Sequence, residues 1–259
     1  MKRIEGLIIE MNKIKQFSLN IDNVTLVEAC DKVIEMAENK ASYDYVVTPN
    51  VDHIIKLQKD FEFREVYESA SLILADGMPL IWASKFLKRP LKEKVSGSDL
   101  FPEICKAAAE KNLSVYFLGG LDNVAKKASE TLIAKYPKLN VVGHYSPPFG
   151  FENDQLVNES VVLKIKKANP DILFVGVGAP KQEKWIFNNL NRLCVPVSLG
   201  IGASFDFIAG TKKRAPIWMQ NSGLEWLYRF FQEPKRLFKR YFIDDSKFVY
   251  LLMKEKFLK

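Results

Sequence analysis

The sequence has 259 residues, 47% of them hydrophobic and 27% charged, as in a globular protein with a sizeable core. No apolar run approaches the roughly 20 residues that span a bilayer, and the N-terminus lacks the features of a signal peptide, so we expect a cytoplasmic protein. The three cysteines form no CxxC pair and the two histidines are far apart, which disfavours a disulfide framework and a metal site.

The first clear element is a helix over 25–39, which Thr25 and Glu28 begin with the spacing of a capping box. Strands and helices then alternate, which predicts an α/β, Rossmann-like fold with a mostly parallel sheet and helices on both faces. We assign 1–210 to this core and 211–259 to a helical, basic C-terminal appendage. The predicted strands are 45–50, 71–76, 114–120, 139–145, 171–178 and 195–202, and the predicted helices between them are 51–60, 78–87, 98–112, 121–136, 153–168 and 179–193.

Five predicted strands end in glycine or polar residues, in the stretches TPN, ADG, FLGG, GVGAPK and GIGAS. In a parallel sheet these ends lie along one edge, where open α/β sheets bind ligands. Glycines there permit close approach, and helix N-termini favour phosphate, so we expect a nucleotide or sugar phosphate.

The motifs that would name a familiar nucleotide site are missing from the sequence. There is no GxGxxG after a first strand, no P-loop and no DxD pair at a strand end, and the Asp244–Asp245 pair lies in the tail, where we expect it to be exposed. A dinucleotide dehydrogenase, a P-loop ATPase and a metal-clamped sugar nucleotide are therefore disfavoured.

Asp76 follows the apolar strand SLILA directly. A carboxylate near a core is costly unless it is paired, hydrated or used. Two interpretations stand: Asp76 caps the next helix, or it acts as a general base.

The net charge of +7 is concentrated at the C-terminus. Residues 212–259 carry twelve Lys/Arg and five Asp/Glu together with eleven aromatic residues, so the rest of the chain is neutral. An amphipathic, basic, aromatic-rich segment is typical of one that lies on an anionic membrane surface; the alternative is a tail packed on the core. No DNA- or RNA-binding motif is present, so we expect no nucleic-acid partner.

Several stretches, read together, resemble the WecG/TagA/CpsF family of bacterial glycosyltransferases over roughly residues 18–242. They are VTPNVDHI, LADGMPLIWASK, VSGSDLFPEI, VYFLGG, VVGHYSPPFGF, PDILFVGVGAPKQEKWI and GIGASFDFIAGTKKRAPIWMQNSGLEWLYRFFQEPKRLFKRY. The most specific parts are GVGAPKQE and the RAP…LEWLYR…EPKR run. The resemblance implies an inverting, metal-independent transfer, with no cofactor, from a UDP-sugar donor to a polyprenyl-diphosphate-linked sugar acceptor on the inner face of the plasma membrane.

The resemblance leaves the substrates open among branches of the family. The TagA branch adds N-acetylmannosamine (ManNAc) to undecaprenyl-diphosphate-linked N-acetylglucosamine (GlcNAc), for the linkage unit of wall teichoic acid, and this is the function we predict. Other branches use N-acetylmannosaminuronic acid or glucose-type donors. A membrane-docked nucleotide-sugar binding protein is the non-enzymatic alternative, and a homo-oligomer is left open.

The resemblance also implies site residues. Asp76 matches the aspartate proposed as the base, and Thr48 is the second predicted catalytic residue. Asn50 is expected to bind the acceptor or to cap the next helix. The other predicted substrate contacts are Gly176, Gly178, Lys181, Gln182 and Glu183 of GVGAPKQE, Gly200 and Gly202 of GIGAS, and the tail arginines Arg214, Arg229 and Arg236.

Simpler roles remain open for several of these residues. Glu183 would instead cap a helix or pair with Lys181, and the tail arginines, Arg240 among them, would form a solvated basic face. We expect His53 and His144 to be helix-face or packing residues, and the four tryptophans, Trp82, Trp185, Trp218 and Trp226, to lie in the core or at interfaces.

Overall fold

The computed structural model describes residues 12–257, so residues 1–10, which the resemblance does not cover, lie outside it. The described chain begins with an antiparallel hairpin of Lys13–Gln16 (β1) and Leu19–Asp22 (β2). Its turn places Phe17 and Ser18 at φ +50° and +67°. Neither residue type signals a left-handed turn, which is why the weakly patterned N-terminal sequence did not predict the hairpin.

The central sheet has six strands in the order β4-β3-β8-β7-β5-β6, and every pairing is parallel. The predicted parallel α/β architecture is confirmed, although the strands are shorter than predicted because the chain leaves the sheet before the TPN and ADG stretches. The strands are Asp44–Val47 (β3), Leu72–Ile73 (β4), Ser114–Gly119 (β5), Asn140–Tyr145 (β6), Ile172–Gly176 (β7) and Val197–Gly200 (β8).

Helices cover both faces of the sheet. Side chains alternate along each strand, so Val46 and Phe174 belong to one apolar cluster while Val47 and Val175 belong to the other. The core helices are Leu26–Glu38 (α1), Val51–Leu57 (α2), Phe61–Glu68 (α3), Met78–Phe86 (α4), Gly97–Lys111 (α5), Val124–Lys135 (α6), Gln155–Ala168 (α7), Lys181–Leu193 (α8) and Ser204–Ile208 (α9), with a 3-10 turn at Phe151–Asn153.

The predicted capping box at the start of α1 is confirmed. The Thr25 hydroxyl accepts a hydrogen bond from the Glu28 N–H, and the Glu28 carboxylate accepts one from the Thr25 N–H at 2.7 Å. Helix α3 was not predicted.

The tail segment, which we define as residues 211–257, is helical as predicted and packs on the core. Phe248 stacks on Phe17 of the hairpin with ring centroids 4.9 Å apart, and the Glu255 carboxylate accepts a hydrogen bond from the Phe17 N–H at 2.6 Å. Its helices are Ile217–Asn221 (α10), Glu225–Gln232 (α11), Pro234–Phe238 (α12), a π-helical turn at Lys239–Asp244 and Lys247–Phe257 (α13). Across 12–257, none of the helices has the length and apolar character of a membrane span.

Candidate active site

A cavity of about 330 Å³ lies between the carboxyl ends of β3 and β4 and the tail segment. Its position follows from the parallel sheet, since the loops after these strands emerge at one edge and the tail segment covers them. The core contributes Asn50, Val51, Asp76, Gly77, Met78, Pro79, Lys94, Ser96 and Ser98, and the tail segment contributes Gln220, Gly223, Glu225, Trp226, Arg229, Arg240, Tyr241, Phe242, Asp245 and Phe248.

Asp76 stands in the wall of this cavity, and it does not cap a helix. Its N–H donates to the Pro49 carbonyl at 2.9 Å, which ties together the loops after β4 and β3. Helix α4 is preceded by Gly77 at φ +101°, and no side chain caps it. The capping interpretation of Asp76 is therefore wrong. Its carboxyl accepts no hydrogen bond from residues 12–257, so its oxygens are open to a ligand.

Burial raises the pKa of Asp76 to about 7. Lys94 and Arg229 lower the pKa by favouring the carboxylate, while the negative charges of Glu225 and Asp99 raise it. A base whose pKa lies near the working pH is both deprotonated in part and strong enough to accept a proton.

Asn50 and Thr48, which follow β3, have different surroundings. Asn50 caps α2, accepting a hydrogen bond from the His53 N–H at 3.2 Å, and it also lines the cavity, where Arg240 donates to it at 3.4 Å. Thr48 is buried and lies outside the cavity lining. His53 is a packing residue as expected: its ring hydrogen-bonds the Tyr67 hydroxyl at 2.6 Å, and burial lowers its pKa to about 3.

Two tail arginines line the cavity. Arg229 forms no ion pair with any carboxylate in the described chain, and its guanidinium lies 5.8 Å from the centre of the Phe207 ring. Arg240 lies between two acids, with nitrogen–oxygen distances of 3.7 Å to Asp52 and 3.9 Å to Asp245. Arg229 is thus the less neutralised cation of the two.

Asp245 was predicted to be exposed, and it is not. Its side chain is 14% exposed and lines the cavity, and burial raises its pKa to about 6. The expectation was wrong because the tail segment folds back over the sheet edge.

The other two predicted arginines lie outside the cavity lining. Arg236 is exposed and pairs with Glu233 in its own helical segment. Arg214 lies between Asp99, at 2.7 Å, and Glu225, at 3.3 Å. Both positions were predicted as substrate contacts, and the structure instead gives each a carboxylate partner from the protein.

The glycine-rich loops after β7 and β8 are joined by one buried side chain. The Gln182 amide oxygen accepts hydrogen bonds from the N–H groups of Gly178, at 3.2 Å, and Gly202, at 3.1 Å. A Cβ on Gly200 would lie 2.8 Å from the Gln182 amide nitrogen. Gln182 is 3% exposed and lies outside the cavity lining, so it fixes the loops in place and their N–H groups are already occupied.

The four predicted glycines divide into two kinds. Gly176 and Gly200 are packing positions, since a Cβ on Gly176 would lie 2.6 Å from the Phe205 ring. Gly178 and Gly202 have φ values of +85° and +56°, and no atom lies within 4 Å of where their Cβ would be. Only the second pair offers open backbone surface to a ligand.

Lys181 and Glu183, the remaining residues of GVGAPKQE, point elsewhere. Lys181 pairs with Glu152 at 3.0 Å and stands over the Phe149 ring. Glu183 accepts a hydrogen bond from the Gln182 amide at 2.8 Å, and burial raises its pKa to about 7. Glu183 does not pair with Lys181, but its carboxylate also accepts a hydrogen bond from its own N–H in the first turn of α8, as the capping alternative expects.

The model of the glycosyl transferase WecG/TagA/CpsF family matches residues 14–259. The chain belongs to this family. It is 32% identical over 226 residues to the N-acetylglucosaminyldiphosphoundecaprenol N-acetyl-beta-D-mannosaminyltransferases of Staphylococcus aureus strains MW2 and NCTC 8325, and 31% identical to that of strain MRSA252. Each match covers 87% of this chain and 87% of the relative. The chain is therefore an enzyme, a hexosyltransferase, and the non-enzymatic alternative is set aside.

Sequence reasoning missed several residues of the cavity in this glycosyltransferase. Ser96 caps α5 and Ser98 lies in its first turn; the VSGSD stretch belongs to the resemblance, but neither serine was predicted as a site residue. Trp226, expected in the core or at an interface, also lines the cavity. Trp185 is buried as expected, while Trp82 and Trp218 are exposed.

The described part of this glycosyltransferase contains no group of three or more His, Cys, Asp or Glu side chains that could hold a metal ion. The three cysteines are free thiols. Metal independence itself stays a prediction.

Proposed function

We propose that this enzyme transfers ManNAc from UDP-ManNAc to undecaprenyl-diphosphate-linked GlcNAc, with inversion and without a metal ion. The names of the S. aureus relatives, which specify this acceptor and a β-mannosaminyl transfer, support the choice of substrates. The observation that carries the mechanism is Asp76, a carboxyl group of raised pKa that faces a cavity and has no hydrogen-bond partner in the described protein.

Asp76 acts as the general base in this mechanism. Its carboxylate takes the proton of the attacking GlcNAc hydroxyl as the hydroxyl oxygen bonds to C1 of ManNAc, and the bond from C1 to the UDP oxygen breaks with its electron pair on UDP. A single displacement from the face opposite UDP inverts C1 and gives the β-linkage.

Arg229 and Arg240 are the cavity groups suited to the negative charge on the departing UDP. A guanidinium presents donors in a fork that matches phosphate oxygens, and a cation already in place stabilises charge as it develops. Gly178 and Gly202 supply the open backbone surface against which the nucleoside lies, whereas Gln182 holds that surface in shape.

The tail segment suits a membrane-bound acceptor. Phe242 is 51% exposed and also lines the cavity, so the cavity wall continues into an apolar surface. Lys235, Lys239 and other cations accompany these side chains and would attract an anionic leaflet. We therefore place the enzyme on the inner face of the plasma membrane. The exposed apolar residues of the tail segment are Ile217, Trp218, Trp226, Phe231, Phe238, Phe242, Ile243, Val249, Tyr250, Met253 and Phe257.

The test is a transfer assay with UDP-ManNAc and a lipid-diphosphate-linked GlcNAc, run with EDTA, on the native protein and Asp76→Asn. We expect β-linked product from the native protein and a loss of about a thousandfold in Asp76→Asn. UDP-N-acetylmannosaminuronic acid and UDP-glucose serve as competing donors. Faster transfer from either of these would show that it, and not UDP-ManNAc, is the donor. Full activity of Asp76→Asn would show that Asp76 is not the base.

A further inference from the structure

Arg214 connects the tail segment to the core at the edge of the cavity. Its guanidinium lies 2.7 Å from an oxygen of Asp99, on the first turn of α5, and 3.3 Å from an oxygen of Glu225, at the start of α11. Of the tail-to-core ion pairs seen within 12–257, the Arg214–Asp99 pair is the shortest; Arg89–Glu255 and Arg240–Asp52 measure 3.5 and 3.7 Å.

Asp99 divides its two oxygens between core and tail. One oxygen accepts from the Ser96 hydroxyl at 2.6 Å and pairs with Lys94 at 2.8 Å, and the other faces Arg214. Both Ser96 and Lys94 line the cavity, whereas Arg214 does not. Arg214 therefore acts on the cavity wall through Asp99.

Glu225 depends more heavily on Arg214. It lines the cavity, and Arg214 is the one cation of the described chain that it pairs with. Without Arg214, this carboxylate would stand uncompensated in a wall that it shares with Asp76.

We propose that Arg214 is a positioning residue: it fastens α11 to α5 and neutralises Asp99 and Glu225 beside the catalytic base, and it does not contact the donor diphosphate. This inference rests on the proposed role of Asp76. It gives Arg214 a different role from Arg229, which lines the cavity and has no carboxylate partner within residues 12–257. One residue thereby both holds the tail segment on the core and balances the charge around Asp76.

The charged groups that act on Asp76 come from two elements. Lys94 and Asp99 belong to the start of α5 and the loop before it, and Glu225 and Arg229 belong to α11. Because Arg214 balances the two acids of this set, its removal leaves Asp76 in a more negative environment. A nearby like charge disfavours ionisation of a carboxyl group.

The experiment measures kcat/KM against pH, and the donor KM, for the native protein and Arg214→Gln. The rate falls on the acidic side as the base is protonated, so we expect Arg214→Gln to move this limb up by about one pH unit. The donor KM should change by less than about threefold, because no direct phosphate contact is lost. The matched control is Arg192→Gln, which removes a surface arginine of α8 that pairs with Glu159 of α7. Its profile of kcat/KM against pH should match that of the native protein.

Two further variants distinguish the charge of Arg214 from its role in holding α11 to α5. Arg214→Lys keeps the charge and should leave the limb closer to its native position. Adding Glu225→Gln to Arg214→Gln removes the unbalanced carboxylate and should return the limb toward its native position. If Arg214→Gln fails to fold, Glu225→Gln alone serves, because loss of that negative charge should move the limb to lower pH.

The opposite pattern would overturn the inference: a donor KM raised about tenfold or more with an unmoved limb would place Arg214 on the diphosphate. An unchanged profile in all variants would equally overturn it. Asp76→Asn is measured in the same series. If it stays active, the proposed base fails; if it is inactive while Arg214→Gln changes only KM, the inference about Arg214 fails alone.

Discussion

Asp76 and Glu183 are two carboxyl groups whose pKa burial raises to about 7, and they follow different strands at one edge of the sheet. Asp76 faces the cavity without a hydrogen bond from the described residues. Glu183 is 1% exposed and bound to Gln182. A raised pKa reports burial, and access to a ligand is what distinguishes a base from a structural acid. In the proposed mechanism the β4 end is therefore the reactive region, and the β7–β8 end is its support.

The pair Asp76→Asn and Glu183→Gln tests this difference between the two carboxyl groups most directly. Both replace a carboxyl group of raised pKa by an amide of nearly the same shape. We expect the first to lower kcat by about a thousandfold, as loss of a general base does, and the second to stay within about threefold of the native rate. Asp31→Asn, on the exposed face of α1, is the control. Equal losses in the two variants would mean that access does not separate the roles.

The next largest effect should come from the glycines of the support region. Gly176→Ala places a methyl group 2.6 Å from Phe205 and 2.8 Å from the Gly202 carbonyl, and overpacking of this kind should lower the free energy of unfolding by about 3 kcal/mol. Gly178→Ala has open space and should cost about 1–2 kcal/mol for its left-handed backbone. Urea unfolding measures both, and Gly178→Ala should raise the donor KM. Equal stability losses would contradict the division of these glycines into packing and open positions.

Asp76 and Glu183 should make the stability of the protein depend on pH in the same way, although their variants should differ in transfer activity. A carboxyl group whose folded pKa is raised stabilises the fold below its unfolded pKa, near 4, and this stability is lost as the pH rises through the folded pKa, near 7. At pH 8, Asp76→Asn and Glu183→Gln should each have a free energy of unfolding about 3–4 kcal/mol above that of the native protein, and at pH 4 neither should show a gain.

Each comparison must be made at one pH, because the lowered pKa of His53 acts in the opposite direction as the pH falls below about 6.5. Thermal or urea unfolding of variant and native protein side by side gives the difference. A gain that persisted at pH 4 would have a cause other than the carboxyl charge.

The smallest effect should come from Gln182→Ala. It removes the acceptor for two backbone N–H groups, which should cost about 1–2 kcal/mol of stability, and it should raise the donor KM about fivefold because the glycine loops lose their spacing. Gln155→Ala, at an exposed position of α7, is the control. A loss in kcat with an unchanged KM would show that Gln182 serves the chemical step and does not act as a support.

The alternation of strands and helices could be predicted from the sequence, because apolar periodicity and caps such as Thr25 are local signals. It also placed Asp76, Asn50 and the glycines at strand ends, and a parallel sheet brings those ends to one edge. The hairpin turn at Phe17–Ser18 was missed because neither residue type marks a left-handed backbone.

Which of these residues share a cavity depends on the fold of the whole chain. The fold of the tail segment over the sheet edge brought Arg229, Arg240 and Asp245 into the lining of the cavity that Asp76 faces, while it left Arg214 and Arg236 paired with acids of the protein. It also separated Gln182 from the cavity by giving its amide two backbone donors. The charge and spacing of residues in a sequence do not predict the partner of a given side chain, because that partner is often far away along the chain.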